Sequence, residues 1–138
     1  MIADMQKWTP NIASIIEHAN QFHPNTEVVS RMVSGNIHKT NYSEVCTRSR
    51  KLASALEKDG YKEGDVIATL ALNTYRHLEM YYGISGMGGI NHTLNFRLHP
   101  EQAVYIINHA EDKVIFCETP FIPILEGLQE NLECVEKY

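Results

Sequence analysis

Apolar residues recur along the chain at two alternating spacings. Ile12, Ile15, Ile16, Ala19 and Phe22 fall every three to four residues, the spacing of one helix face. Thr9-Pro10 predicts the start of this helix, with threonine as cap and proline in the first turn, and His23-Pro24-Asn25 predicts its stop. The segments from Glu27 to Met32 and from Ile37 to Thr40 read as short strands, turned by Ser34-Gly35-Asn36 into a hairpin. Helical spacing resumes at Val45, Cys46, Ser49, Leu52, Ala53 and Leu56. Asn41 is placed to cap this helix, Glu44 to supply the reciprocal half of a capping box, and Gly60 to end it. Arg48, Arg50, Lys51, Glu57 and Lys58 lie mainly on the opposite face, a charge run expected to be solvated.

After the surface turn Lys62-Glu63-Gly64-Asp65, the run from Val66 to Leu72 carries no charge, which suits a strand covered on both faces. Asn73 or Thr74 caps the next helix, which runs through Leu78, Tyr81, Tyr82 and Ile84. A glycine-rich turn, a short strand and an irregular loop follow. Pro100 then suits the first position of another helix, because it has no N–H to donate and its φ is already set. His99 falls at its N-cap, Glu101 lies where the helix dipole favours negative charge, and Ala103, Val104, Ile106, Ile107 and Ala110 make its apolar face. Glu111-Asp112 breaks the pattern, and Val114 to Phe116 is a buried-strand run. Thr119-Pro120 repeats the cap-plus-proline start, and Phe121, Ile124, Leu125, Leu128 and Leu132 predict one last amphipathic helix. From Val66 onward, strands and helices alternate as in βαβ units, so the fold class is α/β. The expected form is a partial three-layer sandwich: a mainly parallel sheet flanked by helices, preceded by a helix and a β-hairpin.

Composition narrows the function classes. The 138 residues suit one domain, and 43% hydrophobic with 21% charged is ordinary for a globular protein. A net charge of −5 with no basic stripe argues against nucleic acid as a partner. No apolar run approaches the ~20 residues that span a bilayer, and the first ten residues do not form a secretory signal, so a cytoplasmic location is expected. Cys46, Cys117 and Cys134 are odd in number and lack CxxC spacing, which points to reduced core or near-surface thiols.

Three constellations bear on chemistry. Gly83, Gly86, Gly88 and Gly89 invite a phosphate-loop reading, but they follow a helix and precede a strand, and they fit neither GxGxxG nor GxxxxGK[ST]. Tight helix–strand packing is the expected role. His92, His99 and His109 are the nearest approach to a metal cluster, yet no pair has the i, i+4 spacing of a helical zinc motif. His99 is read as a cap and His109 as a helix-end cation. No GxSxG elbow is present, although a Ser–His or Cys–His pair need only meet in space.

The run His92-Thr93-Leu94-Asn95-Phe96-Arg97-Leu98, then Pro100-Glu101-Gln102, Tyr105-Ile106 and Asn108-His109-Ala110-Glu111-Asp112, resembles the early part of fatty-acyl-CoA synthetases in the adenylate-forming, AMP-binding superfamily. The stretches at 41–45 and 83–98 resemble that superfamily's first and second core motifs, and the likeness covers essentially the whole chain. Phe96 stands where the family usually has proline, a change expected to alter the local path and not the fold. The resemblance implies that residues 1–138 are the N-terminal portion of the large AMP-binding domain, incomplete and without the C-terminal domain. The parent reaction it implies converts fatty acid, ATP and CoA to acyl-CoA, AMP and pyrophosphate, with Mg2+. The family's phosphate-binding lysine loop, its adenine and ribose groups and its adenylation lysine have no counterpart in this sequence. No catalytic, cofactor-binding or metal residue is therefore carried over, and no ligase activity is expected of the chain alone.

Two rival readings stand beside that one. The first is a non-catalytic module that pairs with a second copy of itself, as a homodimer, or with the remainder of the ligase. The second is an independent nucleotide-binding α/β domain, which would need a phosphate loop.

Overall fold

The computed structural model describes residues 11–138. Its elements run α1 (Ile12–Phe22), β1 (Glu27–Arg31), β2 (Ile37–Asn41), α2 (Tyr42–Lys58), β3 (Val66–Leu70), α3 (Tyr75–Gly86), β4 (Ile90–Thr93), α4 (Pro100–Ala110), β5 (Val114–Cys117) and α5 (Ile122–Leu128). Short 3-10 turns at Thr119–Phe121 and Gln129–Asn131 flank α5. The Thr9-Pro10 start lies outside the described residues. Within them, the Asn11 side chain caps α1 by accepting the Ser14 N–H.

β3 is the centre of a three-stranded parallel sheet of order β4-β3-β5. Ala68 sits opposite His92 on one side and Ile115 on the other. Ile67, Ala68 and Thr69 are wholly buried, which is why this segment lacks the polar alternation of a one-sided strand. Ile67 packs with Leu56, Tyr61, Ile84 and Val114, joining the sheet to α2 and α3. Ala68 and Leu70 pack with Ile107, Ile115, Phe121 and Leu125, joining it to α4 and α5. Burying one such isoleucine or leucine side chain stabilises the fold by roughly 2–3 kcal/mol. A separate cluster of Ile16, Val45 and Cys46, with Val28, Leu78 and Tyr82, seats α1 and the antiparallel hairpin on α2 and α3. The chain end returns beside β5, where the Ile115 N–H donates to the Lys137 carbonyl.

The three helices that feed the sheet all stop in the same way. At α2 the Tyr61 N–H reaches back to the Leu56 carbonyl and the Gly60 N–H to Glu57. At α3 the Gly89 and Gly88 N–H groups reach Ile84 and Ser85, and at α4 the Asp112 and Glu111 N–H groups reach Ile107 and Asn108. This paired bonding needs a left-handed residue just past the helix. Gly60, Gly88 and Glu111 fill that position at φ values of 97°, 84° and 58°.

Four local expectations are corrected. Asn41 does cap α2, but Glu44 does not complete a capping box; its carboxylate accepts the Thr40 hydroxyl at 2.5 Å instead. Thr119-Pro120 opens a 3-10 turn and not a continuous α-helix. Pro123 lacks an N–H and its ring would meet the Thr119 carbonyl four residues back, so the α-helix begins only at Ile122. β3 ends at Leu70 and not Leu72, because the Leu72 N–H is taken by the Glu118 carboxylate at 2.8 Å. The face of α1 buries only Ile16, leaving Ile12, Ile15 and Phe22 exposed.

Candidate functional site at the carboxyl end of the sheet

In this topology the chain leaves β3 for β4 on one side and crosses to β5 on the other. The segments that follow β3 and β5 therefore leave toward opposite faces of the sheet, α3 on one and α5 on the other, the place where open α/β sheets form ligand crevices. A crevice of about 100 Å3 lies there, lined by Ala71, Thr74, Arg76, Cys117, Glu118 and Thr119. Glu118 ties its two walls together: its N–H donates to the Leu70 carbonyl, and its carboxylate accepts the Leu72 N–H. Arg76 and Met80 continue into an open groove of about 390 Å3 with Arg48, Lys51, Leu52 and Glu79. Within the groove Glu79 is buried and accepts from Arg48 Nε at 2.6 Å, so Arg48 is not merely part of a solvated face. Arg50 likewise pairs with Glu17.

Behind the crevice the sheet carries a polar chain. Thr69, the one hydroxyl inside β3, bonds His77 Nε2 at 3.0 Å and Asn91 Oδ1 at 3.4 Å. Burial lowers the pKa of His77; the Leu72 carbonyl and the Glu118 carboxylate offset only part of that. At the opposite end of the sheet Asp112 is fully buried, and its two carboxylate oxygens lie 2.8 and 3.0 Å from His92 Nδ1. Desolvation raises the pKa of Asp112 against the lowering effect of His92.

The three histidines singled out in the sequence do not converge. His92 pairs with Asp112, His99 occupies the N-cap of α4, and His109 stacks on Tyr105 in the last turn of that helix. At His99 it is the backbone N–H that is held, by the Gln102 side chain at 3.2 Å. Among the described residues no group of three His, Cys, Asp or Glu side chains comes together in a metal-binding arrangement. The glycine cluster divides by role. A Cβ on Gly83 would stand 2.9 Å from the Ser49 carbonyl, so this glycine permits close approach of α3 to α2, a helix–helix contact where a helix–strand contact was expected. Gly88 supplies the left-handed turn, Gly89 lies against the Ile84 carbonyl, and Gly86 faces open space.

Burial raises the pKa of all three thiols, so none is held as a thiolate near neutral pH. The crevice offers hydrogen-bond donors and one guanidinium, while its carboxylate is already engaged. That set does not fit a magnesium-bound triphosphate, which needs several cations and backbone donors converging on three phosphates. The lining residues of the crevice bring together no acid–base or nucleophile pair. Sequence reading missed the Arg48–Glu79, Thr69–His77 and His92–Asp112 contacts. The only signals were a lone hydroxyl in an apolar run, and a carboxylate where a strand should begin.

Comparison with known proteins gives this frame its family. The model of the AMP-binding enzyme family matches residues 16–137. The chain belongs to that family. Among AMP-binding relatives it is 44% identical to the medium-chain-fatty-acid–CoA ligase of Ectopseudomonas oleovorans over all of the chain and 25% of the relative. It is 43% identical to the 3-methylmercaptopropionyl-CoA ligase of Ruegeria lacuscaerulensis, again over the whole chain and 26% of the relative. The long-chain-fatty-acid–CoA ligase of Thermus thermophilus is 41% identical over 93% of the chain and 24% of its own length. The chain thus spans about a quarter of the length of these curated relatives. In solved structures, the N-terminal domain of FACL13 from Mycobacterium tuberculosis superposes with a TM-score of 0.84 over 94% of the chain and 33% of that domain, at 18% identity. The anthranilate CoA ligase AuaEII superposes at 0.83 over 96% of the chain and 25% of its own, at 21% identity. At those identities the superpositions speak for the fold, which is that of the corresponding part of an AMP-binding acyl-CoA ligase.

Proposed function

We propose that this chain is the N-terminal, scaffold-bearing part of an ATP-dependent fatty-acid–CoA ligase, and that it does not catalyse the ligation by itself. The observation that carries the reading is 44% identity to a medium-chain-fatty-acid–CoA ligase across the whole chain, over a stretch that is 25% of that relative. In the whole ligase the reaction would join a fatty carboxylate to CoA at the expense of ATP, in the cytoplasm. ATP, Mg2+ and CoA would meet groups supplied by the remainder of the enzyme. What this part contributes is a rigid parallel sheet and the crevice at its carboxyl end. Fatty-acid-dependent ATP–pyrophosphate exchange on the purified, cooperatively melting chain tests the proposal. No exchange over several acyl lengths is the expected result; exchange that survives repurification would overturn it.

A second reading, a self-associating module, draws on exposed apolar side chains. Ile12, Ile15 and Phe22 on α1, Val29 and Ile37 on the hairpin, and Ile90 on β4 are each about half exposed. Among the described strands β4 pairs with β3 alone, so its outer edge is open to a further strand. Sedimentation over a hundredfold concentration range decides between a homodimer and a monomer.

A further inference from the structure

The open groove between α2 and α3 holds about 390 Å3, within the size range of small-molecule sites. Leu52 and Met80, both partly buried and packed on the core, form its floor. Around them stand Arg48 and Lys51 of α2 and Arg76 and Glu79 of α3. The buried Glu79 carboxylate neutralises Arg48. Lys51 and Arg76 have no acidic partner among the described residues, so the groove carries an excess of positive charge on a chain whose net charge is −5.

Both guanidinium groups are anchored by the same atom. Arg48 Nε donates to Glu79 Oε1 at 2.6 Å, and Arg76 Nε donates to the Tyr75 hydroxyl at 3.1 Å. The Arg76 guanidinium also lies over the Tyr75 ring, 5.7 Å from its centre. A guanidinium presents its five N–H donors as a planar fork, and with Nε held the Nη edge is left to grip an oxyanion through two bonds. Neither arginine spends an Nη donor on the protein among the described residues. Forks fixed in advance lose less side-chain freedom on binding than free ones. An excess of two positive charges matches a phosphate dianion, whereas a carboxylate would leave one charge unmet. The Leu52 and Met80 floor suits an apolar body behind the phosphate.

We propose that the groove between α2 and α3 binds a small soluble phosphate monoester, its phosphate between Arg48, Lys51 and Arg76 and its apolar body on Leu52 and Met80. The inference does not rest on the ligase reading, and either can fail alone. Phenyl phosphate is the probe, with inorganic phosphate as the anion without a body and benzoate as the ring with a single charge. Titration of the isotope-labelled chain at constant ionic strength should shift the Arg48 and Arg76 Nε–H resonances saturably with phenyl phosphate. Inorganic phosphate and benzoate should bind about tenfold or more weaker. Affinity for phenyl phosphate should rise as pH passes the second phosphate ionisation, near pH 6. Lys51→Met and Arg76→Gln, both at exposed positions, should each weaken it about tenfold in a folded chain. Arg76→Lys should restore only part of the loss, because an ammonium has no fork. Lys58→Met removes the same charge from the far end of α2 and should change nothing. Equal binding of the three anions, or an equal loss in Lys58→Met, would mean general attraction of anions to a basic face. No saturable shift would mean that the cations are only solvated. Phosphatidylcholine vesicles doped with phosphatidic acid present a phosphate monoester on a membrane; co-sedimentation with them but no response to phenyl phosphate would assign the groove to a lipid surface. Each of these results overturns the proposal, as does unchanged binding in a folded Lys51→Met or Arg76→Gln variant.

Discussion

The Asp112 carboxylate is completely buried and held by one imidazole, with His92 Nδ1 2.8 Å from one oxygen and 3.0 Å from the other. The pair bridges β4 and the residue two before β5, which are outer strands on opposite sides of β3. It therefore fixes the spacing of the two outer strands where backbone bonds between them are impossible. His92→Ala would strand the carboxylate in an apolar setting, at a cost of about 3 kcal/mol. Asp112→Asn, which keeps an acceptor for the ring, should cost about 1 kcal/mol. Urea denaturation near neutral pH checks both.

The same pair predicts an acid-range signature. Desolvation holds the Asp112 pKa above its ordinary value, so between the unfolded and folded pKa values the native state keeps a proton that the unfolded chain has lost. Its contribution to stability therefore falls as pH rises through that window, starting near pH 4, the ordinary aspartate value, and is flat above it. The wild-type chain should lose stability relative to Asp112→Asn as pH rises across the window. A constant difference between the two over that range would remove the assignment.

Gly83 and Gly86 lie one turn apart on α3 and should respond oppositely to the same substitution. A Cβ at Gly83 meets the Ser49 carbonyl at 2.9 Å and Leu52 Cδ2 at 3.0 Å, and the backbone atom cannot turn aside. Gly83→Ala should destabilise by about 2 kcal/mol as α2 and α3 are forced apart. A Cβ at Gly86 meets nothing within 4 Å, so Gly86→Ala should be neutral or stabilising by up to about 1 kcal/mol. Thermal melts of the two single variants test the contrast.

Arg48 and Glu79 form an unequal pair, with the guanidinium side chain 56% exposed and the carboxylate side chain 8% exposed. Truncating the arginine leaves the buried partner unmet, so Arg48→Met should cost about 2 kcal/mol, well above an ordinary surface ion pair. A double-mutant cycle with Glu79→Gln measures the coupling. A value of about 1 kcal/mol or more is expected, and one near zero would return Arg48 to the solvated face.

The parallel sheet was readable because Val66 to Leu70 lacks polar alternation and the helices around it keep strict apolar spacing. Asn41, Gly60 and His99 were also readable as helix boundaries, since caps and left-handed stops demand particular residue types at fixed positions. What escaped were contacts set by tertiary approach. Nothing local distinguishes Arg48, whose partner lies 31 residues away, from Arg50, whose partner lies 33 residues away on a more exposed surface. Phe96 is expected from sequence only to alter the local path, yet its ring stacks on Phe121 at 4.8 Å and ties the loop to the turn before α5.

The last prediction concerns the residue that breaks the rule kept by the other two helix stops. Gly60 and Gly88 occupy the left-handed position after α2 and α3, but after α4 it is held by Glu111 at φ 58°. A side chain in that conformation costs on the order of 1 kcal/mol that glycine avoids. Glu111 is exposed and makes no hydrogen bond or ion pair with its side chain among those of the described residues, so its removal sacrifices little. Glu111→Gly should therefore stabilise the chain by up to about 0.5 kcal/mol after allowing for glycine's extra freedom in the unfolded state. Gly60→Ala and Gly88→Ala should destabilise it by about 1 kcal/mol or more, Gly88 the more so because its Cβ would also meet Glu63 Cγ at 2.9 Å. Denaturant midpoints of the three variants at a common slope provide the check. A destabilised Glu111→Gly would mean that the carboxylate has a role at the end of α4 that outweighs the strain of its backbone.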